Sequence, residues 1–175
     1  MHIYYTNNFT GRREDSHRLL EQVIARFSDA DTASRLIGEL GSREHGKPYI
    51  KGWKNFSISH SEASWAVLVA DEECGLDIQF ERTIDDMKIA ERWYHPDEAE
   101  AIRKNEASFF RIWTRREAMG KAAGTGIMSA NMPCTLADEV QYEGEKWQLR
   151  DVEIPGIDHV AVCAGIIDEI RIIEL

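Results

Sequence analysis

Paired cysteines, long apolar runs and an excess of basic charge are all missing from this chain of 175 residues. Its three cysteines, Cys74, Cys134 and Cys163, stand far apart with no Cys-x-x-Cys pair. That spacing gives neither a disulfide framework nor a zinc site, and it suits a reducing cytosol. No run approaches the ~18 apolar residues of a membrane span, and the opening Met1-His-Ile-Tyr-Tyr-Thr-Asn-Asn has no basic stretch followed by an apolar core. A cytoplasmic protein without membrane partners is the expectation. Basic residues number 21 against 31 acidic, for a net charge of −10, which argues against a general nucleic-acid binder. A phosphorylated ligand would need a local cluster of Lys, Arg and His. Linkers, low-complexity tracts and charged tails are absent too.

What is present is an ordinary globular mixture, 43% hydrophobic and 30% charged, long enough for one core or two small halves sharing one. His2 to Thr6 predicts a short strand. Leu19, Leu20, Val23, Ile24 and Phe27 form a helical stripe over Arg13 to Phe27. A second helix is expected from Asp31 to Leu40, with Gly41 at the position after its end. Three β-rich runs follow, Phe56 to Ser59, Trp65 to Ala70 and Gly75 to Phe80. Arg82 to Trp93 reads as helix, Pro96 opens another near its first position, and Glu106 to Ala123 a third. Leu136 to Tyr142, Lys146 to Leu149, His159 to Ile167 and Ile170 to Glu174 read as strands. The order is α+β, with two halves alike in element order (residues 1–72 and 73–175) within one compact unit.

Three stretches carry candidate chemistry. On the helix through residues 109–123, Phe109, Phe110, Trp113, Glu117, Gly120, Lys121 and Gly124 share a broad face, with Arg111, Arg115, Ala118 and Ala122 opposite. Glu117 and Lys121 thus extend an aromatic stripe, where ionisable groups are costly unless paired or functional. The glycines would let a backbone or ligand approach closely. An i,i+4 surface salt bridge explains the same pair equally well. In Gly75-Leu76-Asp77-Ile78-Gln79, Asp77 and Gln79 share a strand face. With an inward Glu they form an oxygen set that suits Mg²⁺; a solvated edge-strand face is the plainer alternative. In Asn55 to Ser61, His60 and the serines can donate to a phosphate, or be turn residues. Lys47, before Pro48, is open in the same way.

Taken together and in this order, Gly-Lys-Pro (46–48), Phe-Ser-Ile-Ser-His-Ser (56–61), Gly-Leu-Asp-Ile-Gln (75–79) and Trp-Thr-Arg-Arg-Glu-Ala-x-x-Lys-x-x-Gly-x-Gly (113–126) resemble the 4′-phosphopantetheinyl transferases of the Sfp type. The resemblance covers nearly the whole chain. It implies a pseudo-dimer of two similar halves, each a small antiparallel sheet packed on a long helix, with coenzyme A between them. It also implies transfer of 4′-phosphopantetheine from coenzyme A to a serine of an apo acyl, peptidyl or polyketide carrier protein, with release of adenosine 3′,5′-bisphosphate. By the same resemblance Asp77 and Glu117 would ligate Mg²⁺, with Gln79 as the third metal position. Glu117 would act as general base, and Lys121 would lie against the phosphates. Arg18, Lys47, Pro48, Ser59 and His60 would hold the adenosine end, His60 at the 3′-phosphate.

The chain departs from the family pattern in three places. Gln79 stands where an acidic residue is usual, Arg116 where Lys is commoner, and the N-terminal half is short. Arg12, Arg13 and Arg18 would have to replace the basic grip that a longer half carries. Carrier recognition by so acidic a chain requires a local patch, for which Arg111, Arg115 and Arg116 on the outward helix side, or the segment Met128 to Met132, are candidates. A monomer is expected. Two other functions use the same residues: a non-catalytic relative that binds coenzyme A or a carrier as a regulator, and another Mg²⁺-dependent phosphate enzyme.

Overall fold

A computed structural model describes residues 1–126 and 131–175. The first strand, β1 (His2–Thr6), leads into α1 (Arg13–Ile24) and α2 (Ala30–Ile37). Helix α1 buries Leu19, Leu20, Val23 and Ile24 and ends before Phe27, because the amides of Arg26 and Phe27 turn back onto the carbonyls of Val23 and Ile24. Asp29 caps α2 by accepting the Thr32 amide at 2.8 Å. That helix stops at Gly38, short of the expected Leu40. Gly41 instead lies in β2 (Leu40–Ser42), paired with β3 (Pro48–Ile50). A Cβ at Gly41 would fall 2.7 Å from the Tyr49 ring, so close strand packing, not helix termination, uses this glycine.

The strands β4 (Asn55–Ser61), β5 (Ser64–Ala70) and β6 (Cys74–Gln79) come next, then helices α3 (Asp86–Trp93), α4 (Pro96–Arg103) and α5 (Phe109–Ala123). β7 (Glu139–Tyr142), β8 (Glu145–Asp151), β9 (His159–Ala164) and β10 (Arg171–Glu174) follow. One sheet runs β10-β1-β5-β4, the other β6-β9-β8-β7. The protein is therefore α+β. Pairing is antiparallel throughout both sheets except between β1 and β10, which are parallel. Through β10, the last part of the chain completes the first sheet.

Strand alternation decides the layers. Every residue of β5 is buried: Trp65, Val67 and Val69 pack under α1 and α2, while Ala66 and Leu68 face Leu76, Ile78, Val160 and Val162 of the other sheet. On the far side of that second sheet, Ala118, Met119 and Ala122 of α5 pack on Leu149, Ala161 and Cys163. Ala90, Ala99, Ile102 and Ile112 close a smaller core around α3, α4 and the start of α5. Among the described residues no helix is long and apolar enough to cross a membrane.

Candidate functional site

The site is where α5 crosses β6 beside β4. Gly75 permits the crossing: a Cβ there would lie 1.8 Å from the Ala118 carbonyl oxygen, so no other residue fits without moving the helix. Glu117 and Lys121, on either side of Ala118 along the helix, are thereby brought over Asp77. The far edge of β6 runs along β4, whose serines recur with period two. Ser57 Oγ accepts the Leu76 amide at 3.0 Å and Ser59 Oγ the Ile78 amide at 3.3 Å. Side chains of β4 and α5 thus satisfy edge groups that a further strand would otherwise pair.

Asp77 is buried, yet its carboxylate is in contact with two partners. Oδ1 accepts from Ser59 Oγ at 2.7 Å and from Lys121 Nζ at 2.7 Å. Lys121 also donates to the Leu76 carbonyl at 3.0 Å. Burial, opposed by Lys121 and reinforced by the Asp77 charge, pushes the Glu117 carboxyl up to about 7. Two carboxylates and a partly exposed ammonium thus meet where α5 crosses β6. Such a set can take up a proton near neutrality and can hold a hard cation through oxygen.

Gln79 lies along the same strand face, but its Oε1 accepts from Ser61 Oγ at 2.5 Å and from the Phe80 amide at 3.1 Å. Both lone pairs of that oxygen are engaged. Ser59 sits against Asp77, whereas His60, its neighbour, points to the opposite face of the first sheet, with its ring 5.3 Å from Phe9. Arg18 belongs to that side as well, exposed on α1 and bonded to Asp15 at 2.6 Å. Lys47 is nearly buried and bridges Glu73 at 2.6 Å and the Ala122 carbonyl at 3.4 Å. It lines, with Arg43, Gly124 and Trp147, a cleft of about 560 Å³ beyond the last turn of α5; Pro48 begins β3 next to it. Asp77, Glu117, Lys121 and Ser59 therefore converge, Lys47 and Pro48 flank the helix end, and His60 and Arg18 lie across the first sheet.

Helix α5 also corrects two expectations. Arg115 and Arg116 are buried, not outward. Arg115 is fully enclosed and donates to the Thr135 and Ala137 carbonyls, each at 2.7 Å, and to Asp138 and Asp151. Arg116 is paired with the fully buried Glu98 at 2.8 Å. Only Arg111, bonded to Asp151 at 2.8 Å, remains half-exposed. The docking patch expected on these arginines is thus reduced to one residue; of the alternative segment, Met128 to Ala130 lies outside the described residues and Met132 is buried. Gly124 has φ +72° and caps the helix, so the backbone turn calls for glycine at this edge of the cleft. Glu98 and Thr135 were missed by sequence reasoning, and the serines of β4, expected as phosphate donors, are found accepting amides of β6.

Residues 73–146 match the model of the 4′-phosphopantetheinyl transferase superfamily. The chain is 35% identical over 132 residues to 4′-phosphopantetheinyl transferase gsp of Aneurinibacillus migulanus, covering 61% of this chain and 55% of that one. It is 31% identical over 131 residues to the 4′-phosphopantetheinyl transferase of Bacillus subtilis, covering 66% and 55%. Against 4′-phosphopantetheinyl transferase psf-1 of Bacillus pumilus the identity is 36% over 91 residues, covering 47% and 38%. The aligned part spans about half the length of these relatives at most.

Proposed function

Because the chain belongs to the 4′-phosphopantetheinyl transferase superfamily, we propose that it transfers 4′-phosphopantetheine from coenzyme A to a serine of an apo carrier protein. The serine oxygen forms a bond to the pantetheine-bearing phosphorus. The bond from that phosphorus to the bridging oxygen breaks, and adenosine 3′,5′-bisphosphate leaves. The observation that carries this reading is the meeting of Asp77, Glu117 and Lys121 where α5 crosses β6. Ionised, the Glu117 carboxylate can take the serine proton. Lys121, already held by Asp77 and the Leu76 carbonyl, would stabilise the charge developing on the leaving phosphate.

The residues fit Mg²⁺. Burial and the Asp77 charge raise the proton affinity of Glu117, as expected for an oxygen donor set short of positive charge. Asp77 and Glu117 would hold the ion, and Gln79 would join only by releasing Ser61. When bound, Mg²⁺ would supply charge neutralisation at the pyrophosphate. Lys47, Pro48 and the cleft beside them suit the nucleotide end of coenzyme A. His60 and Arg18 would reach it only around the edge of the first sheet.

We further read the fold as two pseudo-symmetric halves, about 1–72 and 73–175, meeting where β4 runs beside β6, with β10 exchanged into the first. A chain that supplies both halves itself suits a monomer, and its three free thiols suit the cytoplasm. The test is mass spectrometry of acyl, peptidyl and polyketide apo carriers after incubation with the protein, coenzyme A and Mg²⁺. A mass gain of one phosphopantetheine is expected, with Glu117→Gln and Asp77→Asn slowing it about 10²–10⁴-fold. No gain on any carrier overturns the proposal, and coenzyme A binding without transfer would mark a regulator.

A further inference from the structure

A second group of metal-type donors lies away from Asp77 and Glu117. His95 and Asp97 flank Pro96 at the start of α4, and Cys134 comes from the segment after α5. The ligand atoms of these three residues all lie within 4.8 Å of one another, although 37 positions separate Asp97 from Cys134 in the chain. The cysteine spacing therefore concealed them. Both backbone segments are fastened to one buried carboxylate. Glu98 Oε2 accepts the His95 amide at 2.9 Å, and Glu98 Oε1 accepts the Thr135 amide at 2.6 Å and the Thr135 hydroxyl at 2.7 Å. Arg116 completes the anchor from α5 at 2.8 Å. The positions of His95 and Cys134 are thus fixed from beneath.

We propose that His95, Asp97 and Cys134 form a binding site for a borderline divalent cation of the Zn²⁺ class. One imidazole, one carboxylate and one thiolate make an N, O and S set that suits such an ion and is poorly matched to Mg²⁺. Tetrahedral zinc, with bonds of about 2.0–2.3 Å, needs donors roughly 3.4–3.7 Å apart. The side chains must therefore close by about an ångström. The half-exposed His95 and the exposed Asp97 are free to rotate, and water fills the fourth position. His95 Nδ1 now accepts the Asp97 amide at a long 3.3 Å, so either that weak cap yields or Nε2 becomes the ligand. Two anionic donors offset the charge of a cation placed near the positive end of α4. Bound there, the ion would cross-link α4 to the segment that follows the helix of Glu117 and Lys121.

The site is tested on the full, reduced chain with Co²⁺ as probe and Mg²⁺ in large excess to occupy oxygen-only positions. One equivalent of Co²⁺ is expected to give a near-ultraviolet thiolate-to-cobalt band that Zn²⁺ abolishes. Cys134→Ser should remove the band, and Glu117→Gln should leave it intact. His95→Gln and Asp97→Asn should each weaken Co²⁺ binding by about tenfold or more. Absence of the band in the native chain, or its survival in Cys134→Ser, overturns the proposal. Should Cys134→Ser not fold, the exposed Asp97→Asn decides, and unchanged Co²⁺ affinity there also overturns it.

Discussion

Helix α5 carries charge on two sides, and the two sides treat it differently. Toward α4 and the segment 131–138, Arg115 and Arg116 each meet opposite charge and backbone oxygen: Arg115 donates to the Thr135 and Ala137 carbonyls and to Asp138 and Asp151, Arg116 to Glu98 and the Trp93 carbonyl. Toward β6, Glu117 is left with a proton affinity raised to about 7, and Lys121 retains donor capacity beyond Asp77 and Leu76. A buried charge matched by opposite charge is structure; one left short of it holds free energy for a ligand. The two kinds alternate within three residues of sequence, Arg115-Arg116-Glu117.

The contrast can be broken first on the charge-matched side. Arg116→Met, leaving Glu98 buried with its pairing lost, should cost about 3–5 kcal/mol, seen as a lower urea midpoint. Arg116→Met together with Glu98→Gln should recover part of that loss, because the neutral amide oxygen still accepts from Thr135. Next, Gly75→Ala should push α5 off β6 at a cost of about 3 kcal/mol, the upper end for overpacking. Because Asp77 and Glu117 would then be moved apart, Mg²⁺-dependent protection against unfolding should fall as well.

On the open side, pH provides the test. The folded carboxyl of Glu117 has its proton affinity raised from 4.5 to about 7. Its stabilising protonation is complete below pH ~4.5 and is lost as pH rises through 7. Without divalent cation, Glu117→Gln should therefore match the native chain near pH 4 and exceed its stability at pH 8 by up to about 3 kcal/mol. Equal pH dependence in the two would remove the claim that this face is unsatisfied. The smallest effect is expected at Arg111, where Arg111→Ala breaks a half-exposed pair with Asp151 and should change stability by less than about 1 kcal/mol.

Sequence patterns located the elements well where local periodicity decides them. His2–Thr6 forms the expected strand, and α5 and β6 lie close to their expected spans. The motif residues Asp77, Glu117 and Lys121 were singled out, and they meet. What local pattern could not carry was pairing across the chain. Periodicity places Arg115 and Arg116 outward because an unpaired charge belongs in water, and their partners lie 18 to 36 residues away. The adjacency of β4 and β6 is likewise a tertiary fact. It turns Ser59 toward Asp77 and, by alternation, His60 away from it.

The parallel pairing of β1 with β10 has a consequence for synthesis. Strand β1 is made well before its partner β10, so the outer edge of β1 is open while the intervening chain is produced. An uncovered strand edge invites pairing with another nascent chain. Fragments truncated before Arg171 should therefore aggregate on expression even where Asp77, Glu117 and Lys121 are all present.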